Sequence, residues 1–330
     1  MPGISANKTR VALVMGGKSP QREISLSAGA DILAAIDRDR FEVVVYDPAD
    51  GLVRLAEDAR KLDLAFLALR GPAGEDGAIQ GFCEILGLPY TGSGVLASAM
   101  AMDKEVAKRT FRDAGLPVTP DYVLTRESVG GRFKEAAQMG LHSLGSPLVI
   151  KPLRLGSSIG TAISSDENEL VKALAKAFEY GDEVLLETYL PGPELTCGII
   201  GLDRLTALPL IEIRVKGGGF FDQAAKKDPA RVEKICPADI PPEIYTEAQR
   251  LAISAHKVLG CRGFSRSDLI YSNGQTFLLE TNTLPSLSQA SAMTLAARAF
   301  GLSFTSLLSY LIDQALDPQG TDVKDYLERN

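Results

Sequence analysis

The sequence predicts an N-terminal α/β domain with a parallel sheet, followed by two α+β units. The length of 330 residues exceeds what a single ordinary hydrophobic core organises. The first third alternates short apolar runs with amphipathic helical patterns, which is typical of a parallel sheet. Further along, strand and helix patterns mix without that alternation. We therefore expect three domains, at residues 1–102, 103–195 and 196–330.

Composition limits the classes of function. Hydrophobic residues make up 45% of the chain and charged residues 23%, as in soluble globular proteins. The net charge of −7 and the lack of a basic run argue against nucleic acid as a partner. A signal-peptide core and a membrane-spanning apolar stretch are not expected either. The four cysteines show no paired spacing, which favours a reducing compartment and predicts a cytoplasmic protein.

The scarcity of histidine restricts the chemistry. His142 and His256 each stand alone on a predicted helix, where a structural role is the more common one. A Ser–His–Asp triad or a histidine-rich metal site is therefore not expected. Catalysis must depend on carboxylates, lysines, arginines and backbone amides.

The first strand, predicted over residues 10–15, ends at the pair Gly16–Gly17. Such a pair suits a tight turn into the helix predicted over 25–36, whose N-terminus could receive an anion. A purely structural turn is the more common explanation. The adjoining GKS is not a phosphate-binding P-loop, because Ala12 stands where that motif needs glycine. Strands over 41–46 and 62–68 and a helix over 78–86 complete the predicted N-terminal unit.

The second unit contains two candidate phosphate ligands. Lys151 ends the strand predicted over 147–151, and the Gly- and Ser-rich loop 154–160 follows it. Such a loop offers backbone N–H groups to phosphate oxygens, and the lysine adds a point charge, although a flexible connector is the alternative. Lys104 lies early on the helix predicted over 103–114, where the helix dipole disfavours a lysine, and this indicates function.

Residues 264–282 predict a β-hairpin, because two apolar-rich runs flank Ser272–Gly274. We expect these three residues to form the loop, with Gly274 left-handed, so that residue 268 faces residue 278. The last dozen residues of the chain are expected to form a loosely held tail.

The hairpin carries three oxygen donors. Period-two alternation places Asp268, Glu280 and Asn282 on one face if the three-residue loop is right. Two carboxylates and an amide oxygen, without histidine or thiolate, predict a Mg²⁺ site shared with phosphates. The alternative is an ordinary hairpin with charges on its wet side, which Leu278 between apolar neighbours disfavours.

Motifs that span nearly the whole chain occur in a characteristic order. They are Gly16–Gly17 with Ser19 and Arg22, Gly74–Gly77, Tyr90–Gly94, Met102–Lys104, Lys151–Pro152 with Gly156–Gly160, Glu187 with Gly192–Glu194, Arg266–Asp268, and Glu280–Pro285. Together they resemble the D-alanine–D-alanine ligases of the ATP-grasp superfamily. The resemblance implies that ATP phosphorylates the carboxylate of one D-alanine and that the amine of a second attacks the acyl phosphate. It also implies a role in peptidoglycan precursor synthesis, two Mg²⁺ ions (with Mn²⁺ possible) and a homodimer.

Roles carry over by motif. The residues that would bind ATP are Lys104, Lys151 and Lys226 at the phosphates, Glu187 and Leu190 around the adenine, and Glu194 at the ribose. Lys226 lies in a loop that would close over the site. The metals would be held by Asp268, Glu280 and Asn282. Arg266 and the backbone N–H of Ser286 would stabilise the oxyanion, and Ser291 would receive the carboxylate of the second amino acid.

Departures from the family pattern cluster at the first-substrate subsite, where Ser157 and Glu75 are retained. Gln21 replaces a glutamate that receives the substrate ammonium, Arg70 replaces a histidine, and Lys227 stands where a loop tyrosine is expected. Each change makes the subsite more positive by about one charge. Further along, Ser286 replaces a glycine and Ala292 a larger apolar residue.

Three hypotheses remain open. Glu23 or rearranged water could replace the missing carboxylate, so that the product is still D-alanyl-D-alanine. Alternatively the same chemistry uses a different first acyl substrate. The third is a nucleotide-binding pseudoenzyme. It is disfavoured because the expected metal-binding residues, Asp268 among them, and the oxyanion residue Arg266 are all present. Family membership favours the first hypothesis and the clustering of changes favours the second.

Overall fold

The computed structural model describes residues 8–216, 231–317, 319 and 322–329. Lys226 and Lys227, assigned to a closing loop from the sequence, lie outside the described residues. Within the described ranges the strands form three sheets, and helices pack on each of them.

The N-terminal sheet has the strand order β2-β1-β3 and is parallel, as the alternation of strands and helices predicts. Strand β3 and the last four residues of β1 are wholly apolar and buried, as expected where helices cover both faces of a parallel sheet. The strands are β1 (Thr9–Val14), β2 (Phe41–Tyr46) and β3 (Leu64–Leu67). The helices are α1 (Arg22–Ala35), α2 (Val53–Asp58), α3 (Ala78–Leu86) and α4 (Val95–Met102).

The glycine turn after β1 has a structural function. Gly16 and Gly17 both have positive φ, 92° and 81°, which glycine adopts without strain. The N–H of Gly17 donates to Asp47 Oδ1 at 2.8 Å, and the N–H of Gly16 donates to Ser25 Oγ at 2.8 Å. A hydrogen bond from Arg22 lowers the pKa of Asp47 to about 2. An internal carboxylate thus fills the position where the sequence allowed an external anion.

The central sheet is antiparallel with the order β4-β7-β5-β6. Alternation along β5 sends Leu148 and Ile150 into the core under the helices and turns Val149 and Lys151 to the opposite face. The strands are β4 (Asp121–Thr125), β5 (Leu148–Pro152), β6 (Ala162–Ser164) and β7 (Glu183–Thr188). The helices are α5 (Lys104–Asp113), α6 (Arg126–Val129), α7 (Phe133–Leu144) and α8 (Glu167–Ala177).

The third sheet is antiparallel with the order β11-β10-β8-β12-β13, and β9 pairs beside β8. Its strands are β8 (Glu194–Gly201), β9 (Thr206–Ala207), β10 (Ile211–Val215), β11 (Val232–Ile235), β12 (Gly263–Ser272) and β13 (Gln275–Asn282). The remaining helices are α9 (Pro242–Val258), α10 (Ala292–Phe300), α11 (Phe304–Leu316) and α12 (Val323–Arg329).

The β12–β13 hairpin differs from its prediction in one respect. Ser272 pairs with Gln275, so the loop has two residues, Asn273 and Gly274, both left-handed with φ of 49° and 84°. This is the Asn-Gly turn that matches the twist of a hairpin, and the predicted three-residue loop is wrong.

A β-bulge restores the predicted face. Leu269 pairs with Leu278, whereas Asp268 pairs with Glu280, so Leu279 is the extra residue on β13. The bulge lies beside a contact from outside the hairpin, where the N–H of Leu278 donates to Pro117 O at 2.9 Å. Asp268 and Glu280 therefore share a face, although for a different reason than the sequence suggested.

The C-terminal residues are more ordered than expected. Within α12, Val323 and Tyr326 are buried, and the Tyr326 ring lies 5.2 Å from the ring of Tyr310 on α11. The predicted loose tail is therefore wrong for residues 322–329, while residues 320, 321 and 330 lie outside the described residues. The helices after residue 284 share a core with the N-terminal sheet, and the domain boundaries at 102 and 195 stay a prediction.

Candidate active site

A cavity of about 500 Å³ lies between the central and the third sheet. It is bounded by the outward face of β5 and β7 on one side and by β8, β12 and β13 on the other. Most residues singled out from the sequence line it. They are Arg70, Lys104, Lys151, Ser157, Glu187, Leu190, Glu194, Arg266, Asp268, Glu280, Asn282, Ser286 and Ser291.

Gln21 and Glu75 lie behind the cavity wall and contact residues that line it. Glu23 is exposed on α1 and does not line the cavity, so nothing here supports it as a replacement carboxylate. His256 is buried, 2.7 Å from Ser265 Oγ, and burial lowers its pKa to about 4. Neither histidine lines the cavity, which agrees with structural roles.

Asp268, Glu280 and Asn282 present their oxygens on one face of the third sheet. Asp268 pairs with Glu280, and Arg266 pairs with Asn282 two residues away, so all four side chains point the same way. The Glu280 carboxylate accepts no hydrogen bond and forms no ion pair with the described residues, although it is half-buried. Within the described ranges no three His, Cys, Asp or Glu side chains converge on one point. A cation here would need Asn282 or phosphate oxygens to complete its ligands.

Arg266 forms a two-pronged ion pair with Asp268. Its Nε lies 2.9 Å from Oδ1 and its Nη2 lies 2.8 Å from Oδ2, while Thr196 Oγ1 also donates to Oδ1 at 2.6 Å. Burial alone would lower the pKa of Arg266, but the carboxylates of Asp268, Glu280 and Glu75 raise it above its usual range. The arginine is therefore a permanent cation at the centre of the acidic face.

A buried charge network holds Glu187. Its Oε1 accepts from Lys108 and, at 2.9 Å, from Thr119, while its Oε2 lies 2.5 Å from Lys151 Nζ. Burial would raise the pKa of Glu187, but the two lysines lower it below its usual range and keep the carboxylate ionised. Burial also lowers the pKa of Lys108 to about 8. This network fixes Lys151 at the cavity wall.

The loop after β5 is tied to the start of α5. Lys104 is buried and donates to Leu155 O at 2.7 Å and to Leu153 O at 3.3 Å. Further along, Ser157 and Ser158 both have left-handed backbones, with φ of 57° and 55°. Such conformations cost roughly 1–2 kcal/mol each in residues other than glycine, and they cluster at ligand sites.

A second buried pair lies among the residues that the sequence assigned to the first-substrate subsite. Arg70 Nη1 lies 2.8 Å from Glu75 Oε1 and also donates to Leu284 O. Gln21 donates through Nε2 to Ser157 Oγ, and its Oε1 is buried without a partner among the described residues. The substituted residues thus contact retained ones directly.

The N-terminus of α10 faces the same cavity. Ser291 caps this helix by accepting from the N–H of Thr294 at 3.2 Å, and Ala292, at the position of a larger family residue, also lines the wall. Lys234 on β11 reaches the preceding loop and donates to Ala290 O at 2.8 Å.

Sequence reasoning missed Lys108, Thr119 and Lys234. Lys108 follows Lys104 by four residues, so both lie on one face of α5, and that spacing was the available signal. Lys234 gave no local signal, because its neighbours on the sheet come from distant parts of the chain.

No single described helix is long and apolar enough to cross a membrane. α10 and α11 meet that criterion only as a pair, and they are bent by 97° at the break between them.

The Glu187 network predicts a stability effect. Replacing Lys108 with methionine leaves Glu187 buried with one lysine, so we expect the free energy of unfolding to fall by about 3 kcal/mol. Urea denaturation measures this. The matched control is Lys134→Met, which removes an exposed pair with Glu167 and should cost less than about 1 kcal/mol. Equal losses for the two variants would contradict a stabilising network.

Family profiles match most of the chain. The profile described as D-ala D-ala ligase N-terminus matches residues 48–93, and that described as D-ala D-ala ligase C-terminus matches residues 110–313.

Individual proteins are similar in sequence to this chain over nearly its full length. The D-alanine–D-alanine ligase of Syntrophobacter fumaroxidans is 44% identical over 95% of this chain and 100% of its own. That of Desulfotalea psychrophila is 42% identical over 94% and 96%.

Solved structures give the same fold. The Bacillus anthracis D-alanine–D-alanine ligase complexed with ATP has 29% identity and a TM-score of 0.78, covering 98% of this chain and 100% of that one. The VanG D-Ala:D-Ser ligase of Enterococcus faecalis has 29% identity and a TM-score of 0.78, covering 94% and 100%. The chain therefore belongs to the D-alanine–D-alanine ligase family, whose members are ATP-dependent ligases with the ATP-grasp fold.

Proposed function

We propose that this protein joins two D-alanine molecules at the expense of ATP, in the synthesis of peptidoglycan precursors. The γ-phosphoryl group passes to the carboxylate of the first D-alanine, which yields ADP and an acyl phosphate. The amine of the second attacks the acyl carbon, phosphate leaves, and the nitrogen loses a proton. The observation that carries the proposal is that one cavity brings together a buried and a half-buried lysine, an oxygen-donor face and a half-buried arginine.

The lysines suit the first step. Phosphoryl transfer depends mainly on positioning and charge neutralisation, and Lys104 and Lys151 are both held rigidly at the wall. Both carboxylate oxygens of Glu187 are engaged by side chains, so we assign it to positioning Lys151 beside the adenine subsite. Leu190 and Glu194 line the same end and are proposed to contact adenine and ribose. Lys226 is proposed for the γ-phosphate on the resemblance alone.

The donor set of the hairpin fits Mg²⁺. Oxygen ligands from Asp268, Glu280 and Asn282 on one face, completed by phosphate oxygens, are what this cation prefers. We propose that these three residues hold two Mg²⁺, with Mn²⁺ as a substitute. When bound, the ions neutralise phosphate charge. A metal held by Asp268 would compete with Arg266 for its oxygens, and the guanidinium donors released in this way would serve a developing oxyanion together with the N–H of Ser286.

The altered first-substrate subsite is compatible with D-alanine. The unpartnered Oε1 of buried Gln21 is an acceptor, and an ammonium donor is the group that would satisfy it. The added charge of Arg70 is paired with Glu75, whose pKa is raised by burial against the effect of Arg70. Ser157 stays beside Gln21. A different first acyl substrate is not favoured by relatives named for D-alanine, and neither is a pseudoenzyme.

We further propose a cytoplasmic homodimer without nucleic acid or membrane partners. ATP is available in the cytoplasm, and the four cysteines are free thiols. Val95 of α4 packs near Gly81 of α3, and these helices expose Ile85 and Leu96 by 85% and 72%. A second copy would cover this apolar surface, and the molar mass in solution tests it.

ADP release tests the proposed function. With ATP and Mg²⁺, D-alanine should stimulate ADP formation and give D-alanyl-D-alanine in equal amount, whereas L-alanine should not. A panel of D- and L-amino acids, dipeptides and hydroxy acids is the control set. ADP release that is indifferent to D-alanine would refute the proposal.

Arg266→Ala should reduce turnover by about a hundredfold, as loss of one oxyanion donor does, and leave nucleotide affinity nearly unchanged. Arg266→Lys should rescue poorly, because a point charge does not replace a planar fork. Steady-state kinetics and nucleotide titration measure the two effects. Weaker ATP binding with unchanged turnover would show that Arg266 has a different role.

Gln21→Glu should lower the KM for the first D-alanine by about ten- to a hundredfold, because a charge-assisted hydrogen bond to the ammonium replaces a neutral one. Arg70 can compete for the new carboxylate, so Gln21→Glu with Arg70→His should exceed the sum of the single effects. If both single variants instead weaken D-alanine use, a carboxylate at position 21 does not improve ammonium binding, and the expected gain is refuted.

A further inference from the structure

Lys234 faces the substrate cavity from the edge of the third sheet. It pairs with Ile213 on β10, and Ile213 pairs with Glu194 on β8. Direct partners in an antiparallel sheet point to one face, so Lys234 lies on the face that carries Glu194. All three residues line the cavity.

The ammonium of Lys234 can donate further hydrogen bonds. It donates one hydrogen bond to Ala290 O, at 2.8 Å, and a lysine ammonium can donate three. Among the described residues no carboxylate forms an ion pair with it. The residue as a whole is exposed, while partial burial of its ammonium and, to a smaller extent, the charge of Arg266 lower its pKa. Arg266, which also faces the cavity, is paired with Asp268, whereas Lys234 forms no ion pair with the described residues.

The loop that Lys234 contacts leads directly into α10. Ala290 precedes Ser291, which caps the N-terminus of that nine-residue helix and lines the cavity with Ser286 and Ser288. Helix N-termini favour anions, and the ammonium of Lys234 lies at the same end. An acceptor amino acid that places its carboxylate at Ser291 would supply an anionic partner for Lys234.

We propose that Lys234 determines acceptor specificity, because its ammonium pairs with the carboxylate of the second amino acid. This inference rests on the proposed function and deepens it. The chain would then select acceptors with an α-carboxylate and discriminate against neutral amines. Lys234 acts in binding the acceptor and takes no part in forming the acyl phosphate.

The test compares a charged with a neutral acceptor. D-Alanine is held at a concentration that fills only the donor subsite, and D-alaninamide or additional D-alanine is supplied as acceptor. In Lys234→Met the KM for acceptor D-alanine should rise by roughly ten- to a hundredfold, the range for a lost charge-assisted hydrogen bond. Use of D-alaninamide and the KM for ATP should stay unchanged. Lys234→Arg should retain most of the preference.

The control variant is Lys216→Met, an exposed lysine next to β10 that does not line the cavity. It should keep both acceptor preferences and the unfolding midpoint. A Lys234→Met protein that loses both acceptors equally, or whose KM for ATP rises, would overturn the inference, because the lysine would then only brace the loop or contact phosphate.

Hydroxylamine separates this inference from the proposed function. It traps the acyl phosphate as D-alanyl hydroxamate without an acceptor amino acid, so wild type and Lys234→Met should form hydroxamate at equal rates. No hydroxamate from wild type would refute the proposed function itself. Hydroxamate from both proteins with an unaltered acceptor preference in Lys234→Met would refute only the role of Lys234.

Discussion

The pleat of the strands that face each other across the cavity determines where the site can be. On β5, Leu148 and Ile150 must enter the core beneath the helices, so Lys151 has to face the other way. On β12, Leu269 is committed to a core with α9, so Asp268 faces the cavity. The chemistry is therefore carried by residues that hydrophobic burial leaves on the second face. A one-residue slip in either sheet would exchange these faces and remove the site.

Much of this arrangement is readable from local patterns. Alternation predicts that Glu280 and Asn282 share a face, and apolar runs predict the parallel N-terminal sheet. The rest depends on contacts between distant segments. The bulge at Leu279 lies beside a hydrogen bond from Leu278 to Pro117, more than a hundred residues earlier, and no local rule contains it. The two-residue turn, by contrast, is predictable, because Asn-Gly between two strands favours that turn type. The prediction of a three-residue loop did not take this into account.

Sequence patterns also do not show which residue a charged side chain contacts. The pattern on α5 places Lys104 and Lys108 on one face, yet their partners differ. Lys104 donates to backbone carbonyls of the loop after β5, whereas Lys108 is buried against Glu187 on β7. A sequence pattern identifies a lysine as a candidate ligand. Whether that lysine contacts a phosphate or a buried carboxylate depends on which strands pack against its helix. The same argument applies to Arg70, whose partner Glu75 turns an apparent excess of charge into a buried pair.

Arg266 connects the two halves of the proposed reaction. In this structure its fork is engaged by Asp268, which is also a proposed metal ligand. A guanidinium and a divalent cation on one carboxylate compete for the same oxygens, so a bound metal weakens the hold of Asp268 on the arginine. Under the proposed function, the arginine would be less tightly paired once nucleotide and metal are bound, which is also when an acyl phosphate could form. The ion pair keeps a half-buried cation compensated in this structure, and the proposed oxyanion role would require that pair to loosen as charge develops on the substrate.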